Sequence, residues 1–203
     1  RTVVCPDLRG YGRSHKPPAG DGYIAYAKRT MAAELVSVMG ELGFDRFALA
    51  GHDRGGRVAY RMTLDHPDTI TRLATLDIVP TIDTWEGLRG TGTLGVFHWP
   101  FLAQPAPLPE TLIAADPGYF LRTLVGSWAA SALDENMDRY VAAFTPDTVR
   151  ATCDDYRAGA TIDVEIDRAD RDAGRRIACP MLALWGDPTG KRLPLQLALE
   201  PNY

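Results

Sequence analysis

Apolar residues recur at Met31, Leu35, Val38, Met39 and Leu42, one face of a 3.6-residue period. That spacing predicts a helix over 27–42, with Gly43 as its stop. FALAG (47–51) is a short apolar run of the kind that forms a buried strand. GRVAYRMTLDHP (56–67) returns to the helical pattern and ends at Pro67, and ITRLATLDIVP (70–80) contains a further strand. At the start, RTVVCPDL (1–8) predicts a short strand, followed by a Gly- and Pro-rich loop, RGYGRSHKPPAGDGY (9–23). Strands alternating with helices are the rhythm of a parallel sheet with helical crossovers. From about 82 to 172 the rhythm becomes mainly helical, with turns at PAPLPE, DPGYF and TPDT. CPMLALWGD (179–187) then restores a strand. The pattern predicts an α/β core over 1–81, an inserted helical lid over 82–172, and a return to the core over 173–203.

Composition narrows the function classes. The 203 residues are 45% hydrophobic and 24% charged, the balance of an ordinary globular chain. A net charge of −4 points away from nucleic acid and from a basic membrane patch. No apolar run approaches the roughly 20 residues of a membrane span. The opening residues hold no signal-peptide h-region, so a cytoplasmic location is expected. The three cysteines, Cys5, Cys153 and Cys179, form no C-x-x-C and read as reduced thiols. The four histidines, His15, His52, His66 and His98, lack metal-ligand spacing, so no metal site is expected. The sequence starts at Arg1 and reads as a piece of a longer protein.

The chemistry concentrates at the end of the second predicted strand. Gly51-His52-Asp53-Arg54-Gly55 has the form of the G-x-S-x-G nucleophile elbow, with an aspartate in place of the serine. In an open α/β sheet, reactive groups lie beyond the carboxyl ends of the strands. An aspartate there has two readings. It can cap the following helix, or it can act as a carboxylate nucleophile that forms an ester by displacement at carbon.

PDLRGYGRSHKP, LAGHDRGGRVAYR, LATLDIVPT, FHWPFLAQPAPLPE, CDDYRAGA and PMLALWG occur in this order. Together they resemble the fluoroacetate (haloacetate) dehalogenases of the α/β-hydrolase superfamily, which are close to the epoxide hydrolases. The likeness runs from residue 1 to about 186. It implies an α/β-hydrolase fold, a mostly parallel sheet with helical crossovers, here partial. It also implies that Asp53 displaces halide from the α-carbon and that Arg54 and Arg57 grip the substrate carboxylate. Asp77 would orient the catalytic histidine, and His98, Trp99 and Tyr156 would receive the departing halide. The partners implied are a small haloacid and water, with no cofactor; a homodimer is implied by the resemblance alone.

Physical chemistry is consistent with these roles. The substrate would be an anion attacked by an anion, and arginines at i and i+3 near a helix start can cancel that repulsion. The alternative for either arginine is a structural ion pair with Asp77 or Asp65. An imidazole, an indole and a phenol are hydrogen-bond donors able to solvate a leaving fluoride. Taken singly, Trp99 also suits core packing and His98 a satisfied histidine. His52 and Trp128 read as structural, and His15 and His66 as exposed. Asp187 is a second candidate for the acid that orients histidine, but it follows Trp185 too closely, so Asp77 is preferred. The family pattern also has an H-G-F-P-like loop upstream and a histidine near the C-terminus; no histidine follows His98 here. Two other functions fit the same residues: an epoxide hydrolase, or a catalytically incomplete hydrolase-like domain.

Overall fold

The computed structural model describes residues 2–126 and 136–186. In chain order the described elements are α1 (Lys28–Glu41), β1 (Phe47–His52), α2 (Asp53–Asp65), β2 (Ile70–Leu76), α3 (Thr81–Gly87), α4 (His98–Leu102), α5 (Leu108–Ala115), α6 (Pro117–Gly126), α7 (Met137–Ala143), α8 (Pro146–Ala160), α9 (Ile162–Asp172) and β3 (Met181–Leu184). Short 3-10 turns cover Asp21–Tyr26 and Gly90–Val96. The chain divides into two compact units, Arg1–Tyr26 with Arg89–Ala160, and Ala27–Leu88 with Thr161–Tyr203.

The second unit holds a three-stranded parallel sheet in the order β1-β2-β3. β1 and β2 run side by side from Phe47 opposite Ile70 to His52 opposite Leu76, joined by the crossover helix α2. β2 and β3 pair from Leu73 opposite Met181 to Leu76 opposite Leu184. The core forms where α2 lies on the sheet: Ala59, Tyr60, Leu64, Leu73 and Ile78 are buried together, with Leu49, Ile177 and Cys179 packed around them. α1 ends as its sequence predicts. Gly43 takes φ 82°, its N–H donates to Gly40 O at 2.9 Å, and Phe44 N–H donates to Met39 O at 2.9 Å.

Two strand expectations change. β1 is not buried on both faces: Ala48, Ala50 and His52 are exposed, while Gly51 is buried and Phe47 and Leu49 are half-buried. Its short apolar run therefore alternates like a strand covered on one side. Residues 2–8 form no strand among the described residues. An extended run becomes a strand only when a neighbour completes its hydrogen-bond ladder, and no described strand pairs with it.

The first unit is helical, and α8 is its centre. Residues 151–159 of this helix are all buried. The 9–23 loop is tied to it by polar contacts: Tyr11 donates to Asp155 Oδ2 at 2.6 Å, and Arg150 donates to Lys16 O at 2.7 Å and Pro17 O at 3.0 Å. Among the described residues no helix is long and apolar enough to cross a membrane.

Candidate active site

The sequence-predicted site residues fall into two groups, one in each unit. Asp53, Arg54, Arg57 and Asp77 belong to the sheet unit, and His98, Trp99 and Tyr156 to the helical unit.

In the sheet unit the chain turns from β1 into α2 with no intervening loop, which demands close backbone approach. A Cβ on Gly51 would collide with the Gly55 carbonyl, and one on Gly56 would lie 2.9 Å from Ile78 Cγ1. Only glycine fits such contacts. Asp53 is the first residue of α2, so the cap position belongs to His52, whose side chain makes no cap hydrogen bond. Asp53 has φ 47°, in the left-handed region that a side chain rarely adopts. Asp77 shares this property with φ 50°. Since His52 pairs with Leu76, Asp53 and Asp77 are the next residues beyond the ends of adjacent strands. Both are exposed. Asp77 is held from below by its own N–H, which donates to Leu184 O at 2.8 Å, while its Oδ1 accepts from Gly186 N–H. Sparsely populated backbone conformations gather at sites where geometry serves chemistry.

Arg54 and Arg57 follow Asp53 in the first turns of α2 and are 8% and 5% exposed. Of the two structural carboxylates considered for them, Asp77 accepts from Gly186 N–H, and Asp65 is held by other arginines. It pairs with Arg29 through two hydrogen bonds of 2.8 and 2.9 Å and with Arg61 at 3.2 Å. Arg57 Nη1 instead donates to Val79 O at 2.9 Å and Thr84 Oγ1 at 3.1 Å.

In the helical unit, His98 and Trp99 open the short α4 and Tyr156 lies on α8; all three are buried. The rings pack edge to face. The Tyr156 centroid lies 5.8 Å from that of His98 and 5.5 Å from that of Trp99, and the last two are 6.5 Å apart. Three side chains that each carry an N–H or O–H donor thus share one cluster.

Arg157, next to Tyr156, is a residue the sequence reading quoted but gave no role. Its Nε donates to Gln104 O at 2.8 Å, and its Nη1 reaches Asp154 Oδ1 at 2.9 Å and Glu110 Oε1 at 2.7 Å. Gln104 follows α4 and Glu110 lies on α5, so Arg157 fixes α8 against the segment that carries His98 and Trp99. Burial works against its charge, but Glu110 and Asp154 outweigh that and raise its pKa above the usual guanidinium value.

Of the remaining histidines, His15 and His52 are exposed. His66 is half-buried rather than exposed, because its backbone closes the turn after α2: its N–H donates to Met62 O and its carbonyl accepts from Thr69 N–H. Trp128 and Asp187 lie outside the described residues.

The chain belongs to the alpha/beta hydrolase fold family, whose model matches residues 1–186. It is 45% identical over 190 residues to a fluoroacetate dehalogenase from Burkholderia sp., an alignment that covers 91% of this chain and 62% of that protein. It is 31% identical to a soluble epoxide hydrolase from Corynebacterium sp. (strain C12), covering 91% of the chain and 64% of that protein. A crystal structure of a protein from Nostoc sp. PCC 7120 superimposes with a TM-score of 0.85 at 44% identity, covering 89% of this chain and 63% of that one. The chain therefore spans somewhat less than two thirds of the length of these relatives.

Proposed function

We propose that this chain carries the dehalogenating machinery of a hydrolase acting on short 2-haloacids, with fluoroacetate as the leading substrate. The observation that carries this reading is the left-handed Asp53 at the end of β1, followed at once by two buried arginines. The 45% identity to a fluoroacetate dehalogenase supports it. Arg54 and Arg57 bind the substrate carboxylate and offset its repulsion from Asp53. An Asp53 carboxylate oxygen attacks the α-carbon; the new C–O bond forms as the C–F bond breaks, and the electron pair leaves with fluoride. His98, Trp99 and Tyr156 donate hydrogen bonds to the departing ion. One such donor is worth about 3 kcal/mol in a transition state. Completing the cycle would need a histidine base to take a proton from water as that water adds to the ester carbonyl, releasing glycolate and restoring the Asp53 carboxylate; without that base the ester persists. In this reading Asp77 orients the histidine that activates that water, and no histidine follows His98 in this chain.

The test uses the chain as it stands. Incubation with fluoroacetate followed by peptide mass spectrometry should find a carboxymethyl ester on Asp53, with at most one fluoride released per chain. Asp53→Asn should give neither. Sustained fluoride release from the Asp53→Asn variant would remove Asp53 from the mechanism.

A second reading, epoxide hydrolysis from the same aspartate, is favoured by the 31% identity to a soluble epoxide hydrolase. The paired arginines argue for an anionic substrate over a neutral epoxide. Comparison of styrene oxide with fluoroacetate as alkylating partners of Asp53 separates the two.

A further inference from the structure

The turn after β2 supplies two hydrogen-bond acceptors to the buried Arg57. Two oxygens that accept from its Nη1, the Val79 carbonyl and the Thr84 hydroxyl, are neutral. A carbonyl and a hydroxyl orient the guanidinium by hydrogen bonds alone, without themselves adding negative charge beside it. Nη1 carries two N–H bonds and donates to both acceptors, so the turn between β2 and α3 constrains the plane of the guanidinium.

That turn is itself anchored. Thr84 Oγ1 donates to Pro80 O at 3.1 Å, which fixes the hydroxyl so that its lone pairs receive Arg57. One turn earlier, Thr81 N–H donates to Tyr60 Oη at 3.0 Å, Tyr60 donates to Asp167 Oδ2 at 2.7 Å, and Ile82 N–H donates to the same oxygen at 3.3 Å. Tyr60 and Asp167 are 3% exposed each, and Thr81 is fully buried. The start of α3 is thus pinned to α2 and α9 from within the core.

We infer that Thr84 is a positioning residue for anion recognition: with the Val79 carbonyl it holds the Arg57 guanidinium in the plane that receives a substrate carboxylate. This rests on the reading of Arg57 as a carboxylate ligand.

The experiment uses the whole chain in an Asp53→Asn background, which keeps the ligand intact, and follows 19F NMR titrations of fluoroacetate and of its neutral analogue fluoroacetamide. Thr84→Val keeps the shape and removes the hydroxyl. Loss of one hydrogen bond to a charged group should weaken fluoroacetate about tenfold. Fluoroacetamide affinity should stay unchanged, and Thr84→Ser should restore fluoroacetate binding. Unchanged fluoroacetate affinity in Thr84→Val, or an equal loss for both ligands, would overturn the positioning role. The underlying reading has its own arm: Arg57→Ala should abolish the preference for fluoroacetate over fluoroacetamide. If that preference survives Arg57→Ala, or the Asp53→Asn chain binds no fluoroacetate, the anion site itself is wrong. Loss in Arg57→Ala with none in Thr84→Val refutes only the inference about Thr84.

Discussion

Cys153 is walled into the helical unit with no exposed surface. Burial pushes its thiol up to about 12, and the nearby Glu110 carboxylate adds to the effect. The thiolate is the reactive form, so at pH 8 only about one Cys153 in ten thousand is ready to react. Cys5 is exposed. Treatment of the native chain with iodoacetamide at pH 8 should label Cys5 and spare Cys153 until denaturant is added, read by peptide mass spectrometry. Equal labelling of both in the native chain would mean that the α5–α8 contact opens readily. Cys153 is thus a packing residue that happens to carry sulfur, although it stands only three positions from Tyr156.

The elements of the β1–α2–β2 segment are written locally, and local rules recover them. The 3.6-residue period and Gly43 place α1, and the apolar runs place β1 and β2. The elbow residues were legible too, because glycines and an aspartate between a strand and a helix have few uses. The clamp on Arg57 was not legible, because its two acceptors lie 22 and 27 residues along the chain. Nothing in TIDTWEG alone marks Thr84 as their partner. The edge-to-face cluster of His98, Trp99 and Tyr156 joins α4 to a distant helix, and only the family resemblance connected them. The strand expected at 1–8 failed for the complementary reason: a strand is a property of a pair, and the sequence of one member does not supply the other. The elbow gives a direct test of the close packing between strand and helix. Gly56→Ala places a methyl 2.9 Å from Ile78 Cγ1 and 3.1 Å from Gly51 O. Overpacking of this kind should lower unfolding stability by about 1–3 kcal/mol, measured by urea denaturation. An unchanged midpoint would show that Ile78 gives way.

Across the sheet unit the most extended feature is a charge network that ties α1, α2 and α9 together. Arg61, 2% exposed, reaches Asp65 at 3.2 Å, Asp167 at 3.5 Å and Asp170 at 2.5 Å, and Arg175 reaches Asp170 at 2.7 Å. Its two inner carboxylates respond to pH in opposite senses. For Asp167, burial dominates and raises the pKa despite hydrogen bonds from Tyr60 and Ile82 and the charge of Arg61. For Asp170, burial also acts to raise it, but Arg61 and Arg175 together outweigh that and lower it. The contribution of Asp170 is therefore present above the ordinary carboxylate pKa of about 3.9 and is lost as pH falls through its depressed value. The Asp167 contribution runs the other way: above the ordinary value the unfolded chain releases a proton that the folded chain still holds, so stability declines as pH rises through that window. Urea unfolding of Asp170→Asn as a function of pH should show a shallower loss below about pH 4 than the parent chain. Identical acid slopes would mean that Asp170 is not held below its ordinary value.

The left-handed backbone at Asp53 and Asp77 also carries an evolutionary consequence. Each position holds a side chain where glycine would sit with less strain, a difference of about 1 kcal/mol per residue. Random mutagenesis scored by heat resistance alone should therefore enrich glycine at both positions. Variants that win such a contest would be sturdier proteins stripped of the two carboxylates at the strand ends. Thermostability campaigns on this scaffold accordingly need a screen that retains both carboxylates at every round, or heat resistance will select them away.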